Sequence, residues 1–402
     1  MILLFDVDGV LVQNFAYSAA LQNTVAYFAR RLGLSEMTLT QDDIEVFESQ
    51  SITVEWDSGA ISVAALLIER LQAGVASPLV LNHSALPLDA EQAFWEALDR
   101  LAAGRVSARR PNFSAIARRV GEATPPGGLP SQAALTLFLE DLDGLALPGD
   151  VHQSAASLLH LLLADCYNID HAPVMQIFQN YAIGHVEYEQ YYGLSPRFTS
   201  EALLEKLDRP HLTLAMRDRV LFGRDAQETY PVIYTARPSL APVEVGGQLR
   251  GYTPEAEIAR RLVGLDSIPV AGFGKVDWLA RQVGLIGADL VKPSPVQSMA
   301  AIGIARTGLE VESLKAALAV ERGDHLRYPL TACAGETVHV FEDSVSSLRA
   351  VTRAVEKLNR QGLNLKLIRH GIAPPGSPKQ ASLEKIADAL HDSVNDGLLG
   401  IL

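Results

Sequence analysis

The sequence predicts an α/β protein whose parallel, Rossmann-like sheet is interrupted after its first strand by a large, mainly α-helical insertion. Three observations predict it. The chain opens on an apolar run, Ile2-Leu3-Leu4-Phe5, of the kind that forms a strand buried on both faces. From residue 229 onward, short β-type runs alternate with amphipathic helical patterns, the grammar of a parallel sheet. Between the two, the chain reads as one helical pattern after another.

A chain of 402 residues, 48% hydrophobic and 20% charged, has material for two or three domains and a sizeable core. Its net charge of −13, from 47 acidic and 34 basic residues, lacks the basic footprint of a nucleic-acid-binding protein. Cys166 and Cys333 are far apart and form no CxxC pair, so neither a disulfide framework nor a zinc site is expected. Asp6 and Asp8 interrupt the apolar start and no basic residue precedes it, so it does not read as a secretory signal. The longest leucine-rich run, 158–163, is too short to span a bilayer. The expectation is a cytoplasmic protein with no nucleic-acid or membrane partner, its oligomeric state left open.

In chain order, Tyr17, Leu21, Thr24, Val25, Phe28 and Leu32 share one helical face over 15–32, and Gly33 supplies the stop. A loop at 51–59 opens a helix over 60–71, with Asp57 or Ser58 available to cap it. Residues 73–87 read as loop and 89–103 as helix. The segment 105–119 carries Arg105, Arg109, Arg110, Arg118 and Arg119 with no acid among them; it reads as a solvated helix face, with anion binding as the alternative. Thr124-Pro125-Pro126-Gly127-Gly128-Leu129-Pro130 is a linker. Helical patterns follow at 131–142, 151–166, 173–181, 200–207 and 215–222. Val232-Ile233-Tyr234 then reads as a strand ending at Thr235, followed by helix 254–263, strand 268–271 and helix 276–283. The run 288–291 leads to Lys292, strand 337–341 ends at Glu342-Asp343, and helix 345–358 precedes strand 365–368. A final amphipathic helix carries Leu383, Ile386, Ala387 and Leu390. The α/β core domain is therefore expected at 1–13 and 229–402, with a helical domain at 14–228 inserted into it.

Chemistry gathers where strands are expected to end. Asp6 and Asp8, spaced i, i+2, leave the first strand on one side at its C-terminal end, where ligands of open α/β sheets bind. Two like charges there call for a cation or a shared proton. Gly9 lets the chain turn sharply after them. The stretch from Met1 to Val12 closely resembles motif I of the haloacid dehalogenase (HAD) superfamily, Asp-x-Asp-Gly after a hydrophobic strand. Thr235 in Tyr234-Thr235-Ala236-Arg237-Pro238 resembles the second motif, Lys292-Pro293-Ser294-Pro295 the lysine motif, and Glu342-Asp343-Ser344 the acidic fourth. The four stand in the family's order. An insertion just after motif I is that family's C1 cap.

The resemblance implies a Mg²⁺-dependent phosphatase acting on a small phosphorylated metabolite. Asp6 would be the nucleophile and Asp8 the general acid and base. Thr235 would bind phosphoryl oxygens and Lys292 would neutralise charge. The Asp6 carboxylate, the Asp8 backbone carbonyl and Asp343 would hold the metal, with Glu342 orienting a metal-bound water. An acid at Asp8 favours ester hydrolysis over dehalogenation, since only an ester oxygen needs a proton. A phosphomutase and a catalytically silent binding or scaffold protein are the alternatives. Substrate contacts are expected from Asn14, Trp56, Asp57, Arg237 and Glu342; for Trp56 and Asp57 the competing reading is a core tryptophan and a helix cap. A second Asp-x-Asp-Gly, Asp141-Leu142-Asp143-Gly144, reads instead as a helix end, because Leu135, Phe138, Leu139 and Leu142 have helical spacing.

Overall fold

The computed structural model describes residues 1–34, 37–74, 87–102 and 106–402. The loop expected at 73–87 and Arg105 of the basic segment fall largely or wholly outside them. The chain divides into two compact units, Met1–Phe15 with Leu204–Leu402, and Ala16–Leu203. Residues 204–228, counted with the insertion from sequence, therefore belong to the first unit. The helix Leu214–Asp225 explains this: its Met216 and Val220 enter the same apolar layer as Leu3 and Phe5.

The first unit is built on β1 (Ile2–Phe5). Next come a short antiparallel pair, β2 (Val12–Gln13) with β3 (Arg209–Pro210), then β4 (Tyr230–Tyr234), β5 (Val270–Ala271), β6 (Thr337–Glu342), β7 (Lys366–Ile372) and β8 (Ala389–His391). The main sheet runs β5-β4-β1-β6-β7-β8, and every pairing in it is parallel. β1 lies between β4 and β6, so both of its edges are paired, and with an apolar layer on each face all four residues are fully buried. The pleat divides them: Ile2 and Leu4 join Val232, Tyr234, Val338 and Val340 in one apolar layer, and Leu3 and Phe5 join Ile233, Val270 and Phe341 in the other. The helix Pro295–Thr307 fills the first layer with Val296, Met299, Ile302 and Ile304.

Several elements differ from expectation: the helix expected from 60 begins at Glu55, and that expected over 200–207 is the single turn Leu203–Lys206. The final amphipathic helix is a single turn, Gln380–Leu383, followed by β8. An edge strand of three residues between Asp388 and Asp392 has too little alternation to be read. Lys292 does not end a strand either. It follows the 3-10 turn Gly287–Asp289 and precedes the helix that starts at Pro295.

The second unit is helical in its described residues. The helix Glu55–Gln72 is buried along most of its length and carries Ile61, Leu66 and Leu67 in the interior. The stretch around the rival motif is the helix Pro130–Asp143, ended at Gly144. Asp141 pairs with Arg119 at 2.7 Å and Asp143 with His152 at 2.9 Å. Arg110 bonds Asp43 and the Thr38 carbonyl, so two of the basic-segment arginines serve local contacts.

Across β6, β7 and β8 runs a chain of imidazoles: His339 Nδ1 lies 3.0 Å from His370 Nε2, and His370 Nδ1 lies 3.0 Å from His391 Nε2. Burial, with His339 and His391 on either side, pushes the His370 pKa down from 6.5 to about 4. The folded state thus holds His370 neutral where the unfolded chain would protonate it. Its contribution is complete above the unfolded value and is lost as pH falls from 6.5 towards 4. The full loss is about 3 kcal/mol. The midpoint of urea unfolding is expected to drop between pH 7.5 and pH 4.5, and His370→Gln should remove part of that drop; an identical drop in the variant would reject the assignment.

Candidate active site

β1 ends at Phe5, so Asp6 is the first residue past the centre of the sheet, and its N–H donates to the Phe341 carbonyl at 3.1 Å. β6 delivers Glu342 and Asp343 on the neighbouring strand. Lys292 Nζ lies 2.7 Å from Asp6 Oδ1 and 2.6 Å from Glu342 Oε1, bridging the two strand ends. The Tyr234 ring faces the same ammonium, 4.9 Å from its centroid. Gly9 turns the chain back at φ +73°, and a Cβ there would sit 2.5 Å from Asp343 Oδ2, so both backbone and space demand glycine.

Charge at this point is unbalanced. Burial raises the Asp6 carboxyl above its ordinary value, with Asp343 and Asp8 adding to the rise and Lys292 opposing it. Burial and Asp6 raise Glu342 likewise. Burial works against the Lys292 ammonium, but Asp6 and Glu342 outweigh it and hold its pKa above the usual lysine value. With Asp8 paired to Arg237 and Asp343 to Lys379, the one Lys292 ammonium is left to serve both Asp6 and Glu342.

Asp6, Glu342 and Asp343 each offer an oxygen within 4.8 Å of the others. Glu342 Oε2 is fully buried and has no hydrogen-bond partner among the described residues. An all-carboxylate donor set suits a hard divalent cation such as Mg²⁺. The residues therefore fit a metal, and its identity is not fixed by them. The carboxylate of Asp8 is not in this group. It is held by Arg237, with Nε 2.9 Å from Oδ2 and 3.1 Å from Oδ1. Lys379, from the loop after β7, forms an ion pair with Asp343.

Thr235 is buried just past β4. Its Oγ1 accepts the Arg237 N–H at 3.1 Å, which leaves its hydroxyl proton to donate. Gln297, absent from the sequence-based candidates, joins the pieces: its Nε2 donates to the carbonyls of Thr235 (2.7 Å) and Ala271 (2.9 Å), and its Oε1 accepts the Lys292 N–H at 2.9 Å. One buried amide so ties the ends of β4 and β5 to the lysine loop. Only its place, just after the Lys-Pro-x-Pro run, could have signalled it.

The expected substrate contacts divide. Arg237 and Glu342 stand in the site, but the Arg237 side chain is 2% exposed and spends itself on Asp8 and Asp208. Asn14 lies just past β2, beside Phe15, the last residue of the first unit's opening segment. Trp56 and Asp57 belong to the helical unit. Asp57 accepts from the Ser131 N–H at 3.1 Å and from the Tyr167 hydroxyl, and Trp56 meets the Tyr167 ring edge-on. Asp57 lies in the first turn of the helix Glu55–Gln72 and so does not cap it as the sequence suggested; its carboxylate instead serves the N-terminus of the helix beginning at Pro130. Burial and Asp57 push the neighbouring Cys166 thiol up to about 12, which disfavours the reactive thiolate.

No family profile and no curated protein matches the chain. Among solved structures it is similar to an X-ray structure from the Northeast Structural Genomics Consortium, target ZR25. The TM-score is 0.63 at 16% identity, over 99% of this chain and 98% of that one. The likeness is one of fold. Phosphatase Tt82 from Thermococcus thioreducens aligns over 96% of this chain and 99% of its own, at TM-score 0.43 and 14% identity. Among the described residues, no helix is long and apolar enough to cross a membrane.

Proposed function

We propose that the protein is a Mg²⁺-dependent phosphatase of the HAD type, hydrolysing a small phosphate monoester. The observation that carries this reading is the meeting of Asp6, Lys292, Glu342 and Asp343 at the C-terminal ends of β1 and β6. Asp6 and Asp343, with the Asp8 carbonyl, are the metal ligands we assign, and Glu342 stands beside them. Mg²⁺ held by these residues would neutralise the phosphoryl oxygens, so that an anionic nucleophile could approach.

The Asp6 carboxylate attacks phosphorus and the bond to the leaving oxygen breaks, giving an aspartyl-phosphate. Asp8 gives its proton to that oxygen. Asp8 then takes a proton from water as the water oxygen attacks phosphorus, and the Asp6–phosphorus bond breaks to release phosphate. Lys292 and the Thr235 hydroxyl hold the phosphoryl oxygens through both steps.

The purified protein is expected to release phosphate from 4-nitrophenyl phosphate with Mg²⁺ and to stop when chelator is in excess. Full turnover in chelator would reject the metal-dependent reading. Silence across a broad panel of phosphate esters would reject the phosphatase and favour a binding or scaffold role.

A further inference from the structure

The buried arginine beside Asp8 has a second anionic partner. Arg237 Nη2 donates to Asp8 Oδ1 and, at 3.0 Å, to Asp208 Oδ2. Asp208 is 1% exposed and its side chain meets Arg237 inside the α/β unit. Its other oxygen, Oδ1, accepts the Phe15 N–H at 2.9 Å. Asp208 directly precedes β3, which pairs with β2 through Val12↔Pro210 and Gln13↔Arg209, and the His211 N–H donates to the Leu11 carbonyl at 2.8 Å. The outgoing and returning chain segments are thus fastened to each other, to Asp208, and through Arg237 to Asp8.

A surface ion pair does not look like this, since both Arg237 and Asp208 are out of water. Nor is Arg237 placed as a grip for phosphate, because the edge formed by Nε and Nη2 is already aimed at two carboxylates. The arrangement suits a carboxylate that must be held in one orientation. Arg237 meets both oxygens of Asp8, and Asp208, itself fixed by the Phe15 N–H, holds the same guanidinium.

We propose that Asp208 and Arg237 are positioning residues for proton transfer by Asp8: Asp208 holds the guanidinium fork, and the fork fixes the Asp8 carboxylate facing the leaving oxygen. This rests on the phosphatase reading above. Asp208 acts only through Arg237, and Arg237 only through its bonds to Asp8. Loss of either should therefore matter in proportion to how much the leaving oxygen needs a proton.

The test compares wild type, Asp208→Asn and Arg237→Lys on 2,4-dinitrophenyl phosphate, whose leaving group departs unprotonated, and on a simple alkyl phosphate. Both variants are expected to lose about 10²-fold in kcat on the alkyl ester at little-changed KM, and under tenfold on the dinitrophenyl ester. Equal losses on both esters, or none on either, would overturn the proposal. Circular dichroism checks each variant's fold, and should Asp208→Asn fail to fold, Arg237→Lys, which keeps the charge and loses the fork, decides alone. A wild type inactive on both esters would instead remove the phosphatase reading, and the proposal with it.

Discussion

Asp6→Asn is expected to abolish phosphate release, by about four orders of magnitude or more, while leaving the protein folded. An amide cannot act as the attacking carboxylate. The fold should survive because Lys292 keeps its bond to Glu342, 2.6 Å away, when Asp6 loses its charge. The substitution also relieves the crowding of Asp6 with Asp343 and Asp8 that lifts its proton affinity. The melting temperature of the metal-free variant should therefore equal or exceed that of wild type. Turnover at the wild-type rate would take the nucleophile's role from Asp6.

Lys292→Met is expected to damage stability as well as activity. Its ammonium is buried and bonds two carboxylates, of which Glu342 is fully inaccessible. Removing one partner of a buried ion pair costs about 3–5 kcal/mol, because the remaining charge has no water to return to. Chemical denaturation should show that loss, and kcat should fall with it. A variant as stable as wild type would mean that Asp6 and Glu342 find other compensation, and the charge imbalance argued above would fail.

What could be read from sequence follows physical range. β1, β4 and β6 are legible because a strand covered on both faces must be a nearly unbroken apolar run, and Asp6, Thr235 and Glu342-Asp343 are conspicuous where such runs stop. Gly9 is legible as a turn, but its second constraint, the closeness of Asp343, is not, since nothing local in sequence reports a contact across that distance. Asp208 and Lys379 were missed for the same reason. Each is an ordinary charged residue whose meaning comes from a partner far along the chain, Arg237 in one case and Asp343 in the other. Arg237 is visible in sequence as a candidate but its partners are not, so sequence alone assigns it to substrate binding. β8 and the β2–β3 pair escaped because two or three residues carry no period.

The position of β1 also sets an order of assembly. It is synthesised well before its two neighbours, which begin only at Tyr230 and Thr337. A chain that stops short of Tyr230 leaves Ile2-Leu3-Leu4-Phe5 with no strand beside it, and one that stops before Thr337 leaves it with a single neighbour. The unit Ala16–Leu203, by contrast, is complete before either neighbour is synthesised. Nascent and truncated chains thus expose a short apolar strand with unmatched backbone edges, the kind of segment on which aggregates grow and chaperones act.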